Sequence, residues 1–421
     1  MINLKIGYAC LTVGVQDTNF KSCIMKNATE ERLLTLIEYN LNSLENLIDY
    51  NKSNNIMLHR ITSSLIPFGS SPVNSLAWWD IFKERFDIIG KKIRDSGMRV
   101  SMHPGQYTVL NSPKNEVVER SIDDLRYHAR VLDSLNLSKE HKIILHIGGV
   151  YEDKEEAINR FIENYQKLDE NIKYRIVIEN DDKSYNIEDV MSISSEINIP
   201  VIFDNLHHHL NNNSLNVNEN NWIDLSSKTW GKDDGNQKIH YSQQNPSKNK
   251  GAHSETIVAE DFIEFYNNLL NKDIDIMLEV KDKNLSAIKC LNLVTVDKNI
   301  KKLELEWSKY KYSILERSAS DYKKIRNLLK NKDSYPVVEF YLIIENALKT
   351  EPSIGSIING LQHVWGYFKS TANNREKDWF LKNIEMYEKG EVSIHSIKNF
   401  LLRLANKYDE KYLRGSYYFS I

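Results

Sequence analysis

Eight short apolar runs recur along the first 300 residues, and each ends in polar residues. They are Leu4–Cys10, Ile56–Thr62, Arg99–Pro104, Lys142–Ile147, Arg175–Asn180, Pro200–Asn205, Lys238–Ser242 and Asp275–Lys281. Near-continuous apolar character fits parallel strands buried on both faces; half-exposed strands would alternate. Between the runs, apolar residues spaced by three and four predict helices. Residues 29–50 place Leu33, Leu34, Ile37, Leu41, Leu44 and Ile48 behind a Thr-Glu-Glu start, and 77–95, 115–135, 154–168, 186–197 and 258–270 behave likewise. Pro72, Pro113 and Pro246 fall in the connections, as breakers should. The connection 206–237 is the longest and least regular, and its Asn-rich stretch Asn211–Asn221 reads as exposed loop. Eight alternating units predict an α/β fold, a TIM (β/α)8 barrel over residues 1–305. A doubly wound open sheet is the competing arrangement, but no GxGxxG follows the first run.

After about residue 305 the strand-like runs stop. Tyr322–Leu329, Val337–Leu348, Ile357–Phe368, Lys377–Glu388 and Ser396–Tyr408 all carry helical periodicity. They predict a C-terminal all-α domain over 306–421, linked by the helix that closes the barrel.

Composition narrows the class. Hydrophobic residues make up 41% and charged residues 27% of 421, which excludes disorder along the whole chain. No apolar run approaches the roughly 18 residues needed to span a bilayer. The start Met1-Ile2-Asn3-Leu4-Lys5-Ile6 reads straight into a strand and lacks the regions of a signal peptide. Three scattered cysteines, Cys10, Cys23 and Cys290, form neither a disulfide framework nor a zinc ribbon, so a cytoplasmic location is expected. The net charge of -3 argues against a protein that coats nucleic acid, yet the charge is uneven. Residues 301–421 hold 21 Lys+Arg against 15 Asp+Glu, a net +6, which leaves -9 for the first 300. An acidic barrel binds DNA once cations neutralise part of its carboxylates; solvated surface accounts for the same balance more simply.

The chemistry sits where the runs end. Six successive runs finish near His103, His146, Glu179, Asp204 with His207 and His208, His240 followed by His253, and Glu279. In a parallel barrel those ends gather at the face that carries active sites. A buried ring of carboxylates without cations costs several kcal/mol per charge, so it needs ion pairs or metals. Mixed imidazole and carboxylate donors suit Mn, Zn or Fe rather than calcium. His207, His208 and His209 form a run of which one is expected to point inward, and the eight candidates that remain exceed one ion's needs and point to two or three. Taken singly, each has a simpler reading: Asp204 as a helix cap, Glu279 paired with Lys281 or Lys283, one histidine as a hydrogen-bonded strand end. Six in order are harder to explain that way.

Met102-His103-Pro104-Gly105-Gln106-Tyr107, Leu145-His146-Ile147-Gly148-Gly149, Ile178-Glu179-Asn180-Asp181, Asp204-Asn205-Leu206-His207-His208, Lys238-Ile239-His240 and Gly251-Ala252-His253 follow one another in this order. The series resembles the UV damage endonuclease family from Ile6-Gly7-Tyr8 to about residue 285. The resemblance implies an ATP-independent DNA repair nuclease that nicks UV-damaged double-stranded DNA immediately 5′ to pyrimidine dimers and 6-4 photoproducts. It implies His103, His146, Glu179, Asp204, His207, His240, His253 and Glu279 as ligands of two or three divalent ions, manganese foremost, with zinc, magnesium or cobalt as substitutes. Gln106 and Tyr107 resemble the pair that wedges into the duplex at the lesion, and Tyr8 resembles a residue near the flipped lesion. Lys238 matches an active-site lysine that is carboxylated in this family, and Glu179 and Glu279 join it in the catalytic set. A monomer with no nucleotide cofactor and no membrane partner is expected. Two departures stand out. Pro67-Phe68-Gly69-Ser70-Ser71-Pro72 carries Ser71 where the family tends to have a ligand histidine, with His59 a candidate to fill its place, and Cys10-Leu11-Thr12 departs in the first loop. The tail, with Leu361-Gln362-His363-Val364-Trp365-Gly366-Tyr367, is similar to the YbgA-like domain of unknown function. A sugar isomerase-like barrel and a lesion-binding protein with weakened catalysis are the alternatives; Gln106-Tyr107 favours DNA over sugar.

Overall fold

The structure, a computed structural model, describes residues 4–212 and 218–421. Met1–Asn3 of the expected first strand, and residues 213–217 of the expected Asn-rich loop, lie outside them. Eight parallel strands close into a barrel in chain order: β1 (Lys5–Ala9), β2 (Leu58–Ile61), β3 (Arg99–Met102), β4 (Ile143–His146), β5 (Ile176–Glu179), β6 (Val201–Asp204), β7 (Lys238–Tyr241) and β8 (Asp275–Leu278). Each lies inside an expected apolar run. β1 closes the barrel on β8, with Tyr8 opposite Leu278, and pairs on its other side with β2, Gly7 opposite Leu58. Gly7 has no substitute there: a Cβ would sit 1.8 Å from the Leu58 carbonyl oxygen.

Helices return the chain between strands: α1 (Glu30–Ser53), α2 (Trp78–Ile81), α3 (Lys83–Ser96), α4 (Asn115–Ser134), α5 (Lys154–Gln166), α6 (Glu170–Lys173), α7 (Ile187–Ile197), α8 (Asn205–Leu210), α9 (Glu219–Ser227), α10 (Ala259–Asn268) and α11 (Asn284–Val294). Local chemistry sets their ends. Thr29 accepts the Arg32 N–H to start α1, and Asn186 and Asp189 form a reciprocal capping box on α7. Gly97 stops α3 in the left-handed conformation at φ 67°. The expected loop over Asn211–Asn221 needs correction at its end. Asn218 caps α9 through the Asn220 N–H, and Trp222, Ile223 and Ser226 give that helix a buried stripe.

The described residues form two compact units. The first holds residues up to Thr12, Gln16–Ile257 and Glu264–Leu291; the second holds Val13–Val15, Val258–Ile263 and Asn292–Ile421. The second unit is helical, as expected for the tail, with α12 (Ile300–Arg317), α13 (Ala319–Leu328), α14 (Val337–Lys349), α15 (Ile354–Trp365), α16 (Asn374–Glu388), α17 (Ile394–Lys407) and α18 (Lys411–Arg414). Its core gathers Leu361, Val364, Phe368, Ile397, Leu401 and Tyr418, and Trp365 stacks on Phe380 with centroids 4.4 Å apart. No helix among the described residues is long and apolar enough to cross a membrane.

Inside the barrel, residues two apart share the interior. Ile144, Val177 and Ile202 make one packed layer on β4, β5 and β6; Ala9, Leu58 and Met277 make another on β1, β2 and β8. The floor is charged. Arg99 donates to Asp275 at 2.8 Å and to the Glu140 carbonyl at 2.8 Å, and Lys142 pairs with Asp234. A guanidinium that is 1% exposed is tolerable only with such partners.

Candidate metal centre

The two-residue step that builds the apolar layers also builds the mouth. Two residues beyond Ile144, Val177 and Ile202 come His146, Glu179 and Asp204, each the last residue of its strand. Two beyond Met277 comes Glu279, and two beyond Leu58 comes Arg60. One periodicity therefore places an apolar plug below and donors above.

Glu179 is the hub, 1% exposed. Its Oε1 accepts from His240 Nδ1 at 2.8 Å and lies 3.7 Å from His207 Nδ1. Its Oε2 lies 3.3 Å from His103 Nε2 and 3.7 Å from His146 Nε2. Burial pushes its carboxyl up, but His240 and His146, with the bonds from His103 and His240, outweigh burial and hold it well below its ordinary range. His103, His146 and Glu179 offer donor atoms within 4.8 Å of one another, and so do Glu179, Asp204 and His207. Two ligand groups thus share one carboxylate.

Asp204 both caps and points inward. Its Oδ1 accepts the His207 N–H at 2.8 Å to start α8, while Oδ2 is buried with no hydrogen-bond partner. Burial raises this carboxyl to about 6. Burial alone would lower His207, yet Asp204 and Glu179 raise it to about 9, and its Nδ1–H donates to the Asn180 carbonyl at 2.9 Å. Burial takes His146 down to about 4 and leaves its Nδ1 unpartnered. His240 Nε2 is likewise buried and unpartnered. Of the histidine run, only His207 turns to the hub: His208 lies 5.1 Å from Phe203, and His209 faces Glu219 at 3.7 Å.

Glu279 extends the cluster. Its Oε1 lies 3.4 Å from His240 Nδ1, and its Oε2 lies 3.7 Å from His253 Nε2. All eight expected donors therefore form one continuous chain of contacts. The pairing of Glu279 with Lys281 or Lys283 is corrected: Arg60 Nη1 takes Glu279 Oε1. Arg60 escaped sequence reading, although one arginine at an inward position of an apolar run was a usable signal. Lys238 sits on β7 two residues before His240, fully buried, and its Nζ makes no hydrogen bond. Burial and then the charge of Arg99 hold its amine well below the ordinary lysine range.

The expected DNA contacts divide. Gln106 and Tyr107 occupy the middle of a turn closed by the Thr108 N–H to the Gly105 carbonyl at 3.0 Å, and Tyr107 is 82% exposed. A cavity of about 290 Å³ opens beside them, lined by Gln106, Leu145, His146, Gly148, Asp181 and His207. Tyr8 is corrected. Ala9 faces the interior, so its neighbour Tyr8 faces outward, with no exposed surface and its hydroxyl donating to Asn51 on α1 at 2.7 Å. His59 shares that outward side, its ring 5.1 Å from that of Tyr8, so it does not fill the place of the missing histidine. The Ser71 hydroxyl accepts the Val73 N–H at 3.3 Å, a local turn bond.

Comparison with known proteins agrees with this barrel. The family model described as UV-endonuclease UvdE matches residues 4–308, and one described as a protein of unknown function (DUF1722) matches 311–421. The UV DNA damage endonuclease of Clostridium perfringens (strain 13 / Type A) is 39% identical over 424 residues, 99% of this chain and 100% of the relative. That of Bacillus cereus (strain G9842) is 32% identical over 296 residues, 69% of this chain and 92% of its own. The crystal structure of SacUVDE is 41% identical, with a TM-score of 0.66 over 69% of this chain and 98% of that one. A match along nearly the whole barrel, and a relative alike from end to end, make this chain a member of the UV-endonuclease UvdE family.

Proposed function

We propose that this protein is a metal-dependent repair endonuclease that nicks double-stranded DNA immediately 5′ to UV photoproducts, pyrimidine dimers and 6-4 photoproducts alike. One observation carries the reading: Glu179 and seven further imidazole and carboxylate groups form one connected cluster beside an exposed Gln106–Tyr107 turn. The residues fit metal ions. Asp204 Oδ2, His240 Nε2 and His146 Nδ1 are buried donors without partners, a costly arrangement unless something binds them. In this reading His103, His146, Glu179, Asp204, His207, His240, His253 and Glu279 hold two or three divalent ions, manganese first. Such ions, when bound, stabilise the attacking and leaving oxygens of a phosphodiester and make water a nucleophile at neutral pH.

The chain's own residues do the rest. Glu179 and Glu279 orient the imidazoles that touch them. Lys238, whose amine burial holds well below its ordinary range, sits below the cluster, where an ammonium would repel cations. Gln106 and Tyr107 fill the gap that an extruded dinucleotide leaves in the stack. Residues 1–305 serve as the nuclease domain and 306–421 as a helical companion. The enzyme works as a cytoplasmic monomer without a nucleotide cofactor. The test is nicking of a UV-irradiated supercoiled plasmid with Mn²⁺, with and without chelator. Relaxed circles are expected only from irradiated DNA with metal. Equal nicking of unirradiated plasmid, or nicking untouched by chelator, overturns the reading; a shift of irradiated DNA without nicking points to a binder.

Ser71 bears on metal demand. A hydroxyl already engaged in a turn bond is a poor ligand for a borderline cation. Ser71→His should lower the Mn²⁺ concentration for half-maximal nicking and leave lesion preference unchanged. Superimposable Mn²⁺ titrations of parent and variant would place Ser71 outside the ligand sphere.

Protons and cations should compete. Asp204 and His207 both have folded-state pKa values raised above their ordinary ones, to about 6 and about 9. A raised pKa gives stability that is complete below the ordinary value and lost as pH rises through the folded one. The contribution of these two groups therefore fades between pH 6 and pH 8, while the histidines that burial holds low, His59, His141, His146 and His208, contribute more over the same span. Mn²⁺ needs both groups deprotonated, so its stabilising effect should be larger at pH 8. Thermal melts at the two pH values, with and without Mn²⁺, check this; an equal gain at both would contradict it.

A further inference from the structure

Behind the β3 loop lies a part-buried polar network that none of these roles uses, with Ser63 and Asp124 only half-buried. α4 presents Ser121, Asp124 and His128, spaced three and four apart, as one stripe toward that loop. At one end, Ser63 Oγ lies 2.8 Å from the His103 carbonyl and 2.9 Å from His128 Nε2. His128 Nδ1 lies 2.7 Å from the Asp124 main-chain carbonyl and donates to it. Nε2 of the neutral ring then accepts, so the single Ser63 proton is shared between it and the His103 carbonyl. At the other end, Thr108 Oγ1 donates to Asp124 Oδ2 at 2.6 Å, and the Val109 N–H donates to Ser121 Oγ at 2.9 Å. Between the anchors run residues 103–108, which start at His103 and carry Gln106 and Tyr107 at their turn. His128 is 1% exposed and Ser121 2%. At His128 and Ser121 packing alone would be served by apolar side chains, without the desolvation cost of polar ones.

We propose that Ser63, Asp124 and His128 are positioning residues that tie the metal donor His103 and the Gln106–Tyr107 turn to one support on α4, so that ion binding and lesion engagement are coupled. This rests on the nuclease reading for the role of the turn. The test uses the full chain, with Mn²⁺ calorimetry on chelator-treated protein and affinity for a duplex carrying one photoproduct. Asp124→Ala removes the Thr108 anchor without touching any of the eight donor side chains. It should weaken duplex binding and also raise the Mn²⁺ dissociation constant, each by about tenfold, the scale of outer-sphere partners. Asp124→Asn keeps an acceptor for Thr108 and should restore both. Should Asp124→Ala fail to fold, Thr108→Val removes the same bond from the loop side. A variant with weakened duplex binding but parental Mn²⁺ affinity would overturn the coupling, and so would a fall in melting temperature alone. A parent that binds Mn²⁺ but never nicks irradiated DNA would overturn the nuclease reading instead, because the calorimetry needs no nicking.

Discussion

Glu179→Gln should reduce nicking of irradiated plasmid by about a thousandfold or more and lower the bound metal per chain. Loss of an outer-sphere partner already costs about 10–100-fold in metal affinity or activity. Glu179 is nearer than that: four imidazoles lie within 3.7 Å of its two oxygens, and both ligand groups include it. Glutamine keeps the volume, so the effect reports charge and ligation rather than a cavity. The amide also places an N–H against imidazoles that had an acceptor, which costs further. Elemental analysis and single-turnover nicking check the two halves. Parental nicking with full metal content would remove Glu179 from the reaction.

Gln106→Ala combined with Tyr107→Ala should act on the other half of the function. Binding to damaged duplex should fall by about a hundredfold, or ~2.7 kcal/mol, within the few kcal/mol spent on unstacking a base step. Metal content should stay at the parental level, because neither residue touches the cluster. Stability should change by less than about 0.5 kcal/mol, as expected for exposed positions; Tyr107 is 82% exposed. A double variant that still separates damaged from intact DNA as well as the parent would make the turn structural.

Much of this was legible in the chain itself. Strands buried on both faces cannot hide as loops, so all eight appeared as apolar runs, and a His, Glu or Asp at the ends of six of them announced the mouth. Parity was harder to read. Tyr8 stood beside the right glycine but on the wrong side of its strand, because Ala9 takes the inward position and Tyr8 packs on Asn51 and His59. Long-range pairing was not legible at all. Arg60 and Glu279 are 219 residues apart, and Ser63 and His128 are 65 apart. Each looks ordinary until the barrel closes and sets one against the other. The start of α9 inside the Asn-rich stretch was missed because asparagine reads equally as loop and as cap, and the stripe of Trp222, Ile223 and Ser226 decided it.

The pairing of Arg60 with Glu279 bears on the order in which the finished protein is assembled. Glu179, which is buried, and Glu279, which is half-buried, share His240, and their carboxylates would repel each other without a countercharge. The guanidinium supplies a permanent countercharge that neither dilutes away nor exchanges, and the surrounding imidazoles supply more. The countercharge is thus built into the barrel itself, whatever else the mouth holds. On the metal-dependent reading proposed above, a chain made before its ions arrive would wait folded rather than fall to proteases.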